Sequence, residues 1–286
     1  MRRRLGAAHQ TLGTVGLVAV VLGLLVLAVG LFGGFFAPHD PNAMLGRPYS
    51  PPSAAYWLGL DGVGRDVLSR ALYGGRTTIT LAVIGVIGIY AIAVPAGMYA
   101  GLSRGRGASL LMRIFDAMLA FPALLVLLVL VAAKGAGPAV VIVAAVIGYI
   151  PGLARLTRAA SLEVSVKSFV DAARLRGERT TSILRREILP NIVPTLAADI
   201  GMRFTLVVLL IAGANFLGLG LQPPTADWGL MIAENKAGLI LNPWSVLTST
   251  LLIATLAVSI NLVADALGRS LASPRVRAEL QAAKPE

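Results

Sequence analysis

The stretch TVGLVAVVLGLLVLAVGLFGGFFA, residues 14–37, holds 24 residues without a charge. Wound as a helix at 1.5 Å per residue it reaches roughly 36 Å, more than the hydrocarbon core of a bilayer. It follows Met1, Arg2, Arg3 and Arg4, a charged start of the kind that also opens signal peptides. A signal peptide's apolar region is only about 7–15 residues, so the segment reads as an uncleaved membrane anchor.

Five further apolar stretches follow along the chain, at residues 78–101, 114–133, 138–153, 195–217 and 246–267. The third and fourth are separated only by Lys134, Gly135, Ala136 and Gly137 ahead of Pro138, a run of breakers that predicts an antiparallel helical hairpin. The reading is an all-α polytopic membrane protein with six transmembrane helices. Composition agrees: of 286 residues 56% are hydrophobic and 14% charged, where a soluble chain carries roughly a quarter charged residues. The mean hydropathy of +0.79 excludes an intrinsically disordered chain.

The formal charge of +11 suggests nucleic acid in a soluble protein and sorted loops in a membrane protein. With the N-terminus inside, eighteen Lys and Arg fall on the cytoplasmic side and six outside. Arg203 lies within the fifth span. That bias places both termini in the cytoplasm. The chain then divides into a cytoplasmic N-terminus (1–13), TM1 (14–37), an extracytoplasmic loop (38–77), a core of five spans (78–268) and a cytoplasmic tail (269–286). Within the core lie a cytoplasmic segment at 154–194 and an extracytoplasmic loop at 218–245. Apolar residues recur at helical spacing through Leu162, Val166, Phe169, Val170, Ala173, Ile183, Leu184 and Ile188, which predicts short helices at the membrane surface.

The inventory for chemistry is thin. Cysteine is absent and the histidines are His9 and His39, so no thiolate site or histidine cluster can form. There is no His-Glu-x-x-His, no Gly-x-x-x-x-Gly-Lys-Ser/Thr loop and no base placed beside a serine. No catalytic or metal-ligating residue is assigned, and the chain is read as a non-enzyme.

Polar groups inside the spans are costly and need a reason. Asp199 and Arg203 stand four apart on one face of the fifth helix, either as a self-compensating pair or as the lining of a translocation path. Asn215 and Asn261 serve either interhelical hydrogen bonds or the same path. Asp265 with Arg269, and Arg113 with Asp116, read as interfacial pairs. Gly85, Gly88 and Gly97 predict close helix packing, and Pro95 and Pro122 predict kinks.

The cytoplasmic segment contains Asp171, Ala172, Ala173, Arg174, Leu175, Arg176 and Gly177, followed by Ile188, Leu189 and Pro190. This resembles the signature of permease subunits of binding-protein-dependent ABC importers: Glu-Ala-Ala, three residues, Gly, then Ile-x-Leu-Pro. Asp171 replaces the usual Glu, and Glu187 stands where the pattern has Ile, one place before Ile188. The resemblance implies coupling helices between the fourth and fifth spans that dock on an ATPase through Asp171, Ala172, Ala173, Arg174, Gly177, Ile188, Leu189 and Pro190. Two alanines permit close approach to a groove, a glycine can take the positive φ of a turn, and Pro190 is expected to end the second surface helix.

Two more stretches narrow the likeness: WLGLDGVGRDVLSR at 57–70 and FLGLGLQPP at 216–224, followed by Asp227, Trp228 and Gly229. They resemble the second (C-type) permease of dipeptide, oligopeptide and nickel importers, apart from Leu60, where that class commonly has Thr. The resemblance implies that Asp61, Gly64, Arg65, Asp66, Gln222, Pro223, Pro224 and Trp228 contact the binding protein or form the extracytoplasmic gate. Asp66 can equally cap the following helix or pair with Arg70.

The implied machine sits in a bacterial plasma (inner) membrane, surrounded by lipid. It comprises this chain, a homologous second permease, two ABC ATPases and a solute-binding protein. ATP and Mg are expected on the ATPases, with no cofactor on this chain and no nucleic acid as partner. Short peptides are the expected load, with nickel or another small solute as the alternative. A secondary transporter is the more distant rival, and would need an ion site at mid-membrane, for which Asp199 is the best candidate.

Overall fold

The computed structural model describes residues 18, 20–103 and 105–271, with the backbone alone at position 269. The tail with Arg2, Arg3, Arg4 and His9, the start of the first apolar stretch, Arg104, and the tail with Arg275, Arg277 and Lys284 lie outside the described residues. So does the Arg269 side chain. Among the described residues the chain is helical, without a strand and with one isolated bridge between Leu60 and Asp66.

Helix α1 (Val20–Phe36) tightens to a 3₁₀ turn over Gly33–Phe36. It stops where Ala37, held extended at ψ 127°, precedes Pro38. Helix α2 (Val67–Leu102) is 36 residues long, starting eleven residues before the predicted span. Asp66 supplies the start, its carboxylate accepting from the Ser69 N–H. A hydropathy window misses those first turns because they carry Ser69, Arg70 and Arg76. Ser69 and Arg70 are buried against protein, so their polarity never meets lipid. The helix runs unbroken through Pro95.

The third span bends at Pro122, where a kink is predicted, and the bend is a full break: α3 (Arg106–Met118) and α4 (Ala123–Lys134) meet at 84°. Pro122 occupies the N-cap of α4. Proline disfavours helical backbone at the residue before it and has no N–H to donate, so the break falls just there. After a turn at Gly135–Gly137, α5 (Pro138–Ser165) starts with proline at its first turn and runs twelve residues beyond the predicted end. Helix α6 (Ser168–Leu175) is the short surface helix the periodicity predicts.

Pro190 does not end a helix. The chain winds from α7 (Thr180–Ile183) through a π turn (Leu184–Ile188) into α8 (Leu189–Phe216) without interruption. The Leu189 N–H donates to the Leu184 carbonyl, an i→i−5 bond. Asn191 then donates from its side chain to the Glu187 carbonyl at 2.7 Å. The wider turn absorbs the donor that Pro190 lacks, so the helix passes through it. Helix α9 (Trp228–Asn235) follows, then a 3₁₀ turn (Lys236–Gly238) and α10 (Trp244–Leu271).

Among the described residues each predicted apolar stretch is largely helical, the third being split between α3 and α4. Four helical stretches are long and apolar enough to cross a membrane: α2, α5, Thr180–Phe216 and α10. The α3–α4 pair makes a fifth if its bent halves count as one.

Helix α2 packs along α5 and against α8, while α8 packs along α10. The glycines of α2 set these distances: a Cβ would lie 2.9 Å from Val207 Cγ1 at Gly85, 2.8 Å from Val146 Cγ2 at Gly88 and 2.6 Å from the Ala154 carbonyl at Gly97. Only a residue without Cβ lets backbones approach so closely. Between the helices lies a core of small and branched side chains, among them Ala82, Ile89, Ala93, Ala144, Leu153, Val207 and Ile211. Helix α1 crosses α2 where Gly30 faces Gly75, and meets α10 where Gly23 faces Ser259.

Candidate functional site

Two polar regions stand at opposite ends of α8. One is the signature segment, and the other is a cap built from residues 37–66 and 217–243.

In the signature segment, α6 buries Val170 and Ala173 and turns Asp171, Ala172, Arg174 and Leu175 outward. Its end is a Schellman motif. The Glu178 N–H reaches the Ala173 carbonyl at 3.2 Å and the Gly177 N–H reaches the Arg174 carbonyl at 2.9 Å. Gly177 sits at φ +74°, yet nothing lies within 4 Å of a Cβ built there. The glycine is therefore demanded by backbone conformation, and the space around it is free. Asp171 pairs with Arg174 at 3.0 Å and Arg176 with Glu178 at 2.7 Å, all in solvent apart from a half-covered Glu178. Hydrogen bonds from Arg176, then Ser182, hold the Glu178 carboxyl below the usual range. Ile188 is fully buried, Leu189 half-buried and Pro190 exposed on the continuous helix. The segment brings the first half of the signature together on one outward face and uses Ile188 inside the fold.

The cap turns its charges inward. Asp61 is fully buried. One of its oxygens accepts from the Val63 and Arg65 N–H groups at 2.9 Å, the other from Arg65 Nε at 2.7 Å. Arg65 and Arg70 both converge on Glu234, at 3.0 and 2.8 Å. Arg70 Nε also lies 3.5 Å from Asp61, so four alternating charges close a network in which Arg65 and Glu234 are 169 residues apart. Asp66 caps α2, accepting from the Ser69 N–H and hydroxyl at 2.9 and 2.6 Å. Arg70 is paired to Asp61 and Glu234 rather than to Asp66. Gly64 takes φ +83°, and a Cβ there would strike the Gly46 carbonyl.

A second knot lies beneath it. Asp227 caps α9 and accepts from the Leu230 N–H at 3.0 Å, from Asn215 Nδ2 at 2.7 Å and from the Thr78 hydroxyl at 2.6 Å. Helices α2, α8 and α9 meet at this one carboxylate. Burial pushes the Asp227 carboxyl up, against the opposing pull of these hydrogen bonds. Trp228 is fully buried, donating from its ring to the Ala71 carbonyl at 2.7 Å. Asp61, Arg65, Asp66 and Trp228 therefore hold the cap together from within. Gln222, Pro223 and Pro224 stand exposed on its outside.

The remaining candidates are tied within the helix bundle. Arg203 grips Asp199 with two bonds at 2.8 and 3.2 Å, and the Tyr90 hydroxyl of α2 donates to the same carboxylate at 3.1 Å. Gly152 of α5 leaves room for the guanidinium, since a Cβ there would lie 3.0 Å from Arg203 Nη1. Asn261 links α10 to α8 through the Thr205 hydroxyl at 2.7 Å. Asn215 belongs to the Asp227 knot, accepting from the Leu221 N–H at 2.7 Å. Asp116 pairs with Arg155 of α5 at 2.7 Å, not with Arg113 as its spacing suggested.

Sequence reading missed Glu234, Thr78 and Tyr90 as partners in these knots and offered Arg70 to Asp66 rather than to Asp61 and Glu234. For Asp227 a signal was present, an acidic residue directly before a helix. For Glu234 and Tyr90 there was none, because each meets partners more than 100 residues away.

Residues 93–273 match the family described as the binding-protein-dependent transport system inner membrane component. The chain is 34% identical over 265 residues to the glutathione transport system permease protein GsiD of Pectobacterium atrosepticum, covering 91% of this chain and 88% of that protein. It is likewise 34% identical over 263 residues to GsiD of Escherichia coli O6:K15:H31, covering 91% and 86%. Among solved structures, an inward-facing MetNI methionine ABC transporter superposes with a TM-score of 0.60 at 19% identity, over 72% of this chain and 97% of that one. That likeness is one of fold.

Proposed function

The chain belongs to the family of inner membrane components of binding-protein-dependent transport systems, and from that premise we propose that it is the C-type permease of an ATP-driven ABC importer for short peptides. It is a multi-pass protein of a bacterial inner membrane. In this reading six spans cross with both termini in the cytoplasm. The chain forms half of a translocation path beside a homologous second permease. A solute-binding protein delivers the load at the cap, and two ATPases, which hold the ATP and Mg, drive alternating access from the signature segment.

One observation carries the reading. Helix α6 ends in a Gly177 turn and presents Asp171 and Ala172 outward at the end of α8 remote from the cap. A short rigid helix there can transmit a push from a docked subunit into α5 and α8, which flank it in sequence. The peptide load is supported by the glutathione permeases, since glutathione is itself a short peptide.

The test is purification of the chain with its co-assembling subunits, followed by ATP hydrolysis and uptake in vesicles against a peptide panel. Peptide-stimulated hydrolysis with matching uptake is expected. Uptake that persists in ATP-depleted but energised vesicles would instead establish a secondary transporter.

A further inference from the structure

Arg70 of α2 is answered by Asp61 and Glu234. Arg76, further along the same helix, stands exposed and makes no ion pair or hydrogen bond with any described residue. It shares one face of α2 with Tyr73, Thr80, Val83 and Ile87, all exposed and set at steps of three or four residues. The Tyr73 hydroxyl likewise has no partner among the described residues. Helix α1 comes close beside it, since a Cβ at Gly34 would lie 3.2 Å from the Tyr73 ring. Between the two helices is a cavity of about 80 Å³ walled by Leu31, Gly34, Phe35, Leu72, Tyr73 and Arg76.

Height along the helix says what this face meets. From Arg76 to Leu102, where α2 ends, the helix rises roughly 39 Å, close to the ~40–45 Å of a bilayer with its headgroup regions. Arg76 therefore stands at headgroup level beneath the cap, with Tyr73 and Phe35 where aromatic side chains gather at a membrane surface. From Arg76 to Ile87 is roughly 16 Å, about half of a ~30 Å hydrocarbon core and so the depth of one leaflet. We propose that Arg76 and Tyr73 form a phospholipid site. The guanidinium pairs with the headgroup phosphate, whose oxygens suit its planar fork. The Tyr73 hydroxyl donates a further hydrogen bond to that phosphate. One acyl chain lies along Thr80, Val83 and Ile87, with its first methylenes against Leu31 and Phe35. A lipid brings phosphate and hydrocarbon in the order and at the spacing this face presents, and held there it ties α1 to α2 beneath the cap. The inference rests on the membrane placement of the chain and not on the load it carries.

The test uses the full chain with its co-assembling subunits in an uncharged detergent. A phosphatidylglycerol with a photoreactive acyl chain is added, and the lipid adduct on residues 31–35 and 80–87 is read by peptide mass spectrometry. The adduct is expected to fall about tenfold in Arg76→Gln, and equally when the probe is a phosphate-free diacylglycerol with the same chain. Tyr73→Phe is expected to lower it about threefold. Equal adduct in the unsubstituted protein and Arg76→Gln overturns the inference. So does equal adduct from the diacylglycerol, which marks an ordinary apolar surface. That comparison uses the unsubstituted protein and stands whatever Arg76→Gln does to folding. Displacement of the lipid by excess glycerol phosphate also overturns it and assigns the arginine to a free anion. No adduct on either segment overturns it and leaves the face to a protein neighbour. None of these outcomes touches the permease reading, which is decided by uptake.

Discussion

The cap and the signature segment have similar raw material, arginines and carboxylates in loops between apolar helices, and use it in opposite ways. In the cap, Asp61, Arg65 and Arg70 are no more than 5% exposed and are paired within the fold, with Glu234 as the fourth member. In the signature segment, Asp171, Arg174 and Arg176 pair within three residues along the chain and remain in water. A buried charge must be answered by its own fold, because leaving water costs far more than one contact returns. An exposed charge near an exposed leucine is left for something else to answer. The same residue types build a rigid plate at one end and an open face at the other.

The sharpest way to break this contrast is Arg70→Met. It leaves two carboxylates, Asp61 and Glu234, sharing Arg65 alone, and a loss of about 3–5 kcal/mol is expected. Thermal unfolding in detergent or nanodiscs measures it, and a shift no larger than that of a surface arginine would mean the network is slack.

Next in size is Asp227→Asn. It preserves shape but sets an amide donor against the Thr78, Asn215 and Leu230 donors, at a cost of about 1–3 kcal/mol. Its pH dependence carries a sign. Burial raises the folded carboxyl above its unfolded value, so the folded state holds the proton more tightly. That contribution is fully present below the unfolded pKa and lost as pH rises through the folded one. Unfolding midpoints across acid to neutral pH should therefore show the wild type declining relative to Asp227→Asn.

Gly177→Val probes the other end and is expected to cost about 1–2 kcal/mol locally, through φ +74° alone. With no neighbour to strike, Gly177→Asn should retain coupled uptake where Gly177→Val uncouples hydrolysis from transport. Equal behaviour of the two would show that conformation is not what the glycine supplies.

The smallest effect belongs to Asp171→Asn. An exposed i, i+3 pair contributes at most about 0.5 kcal/mol, so stability should stay unchanged. Any fall in coupled hydrolysis then reports on contact with the partner rather than on folding.

Much of this molecule was legible one helix at a time. Apolar length placed helical chain at the predicted spans among the described residues, with the third split in two, and the Asp66 and Gly177 turns followed from residue type. Legibility failed where local signals compete. Pro122 and Pro190 carry the same missing N–H, yet one coincides with a break of 84° and the other is absorbed by a π turn. What differs is the surroundings: Asn191 beside Pro190 donates to the Glu187 carbonyl, and Pro122 follows the exposed Phe121 in the turn after α3.

By itself, the sequence determined what each segment is: apolar spans, a glycine-terminated surface helix, and loops rich in arginine. Those properties depend on hydropathy and on φ preference, which are carried by neighbours along the chain. Only the tertiary structure decided which charges are buried and with whom. Arg70 meets Glu234 across 164 residues, Thr78 meets Asp227 across 149 and Tyr90 meets Asp199 across 109. Desolvation is set by everything packed around a group, and so the same arginine is a lock in the cap and an open contact beside Leu175.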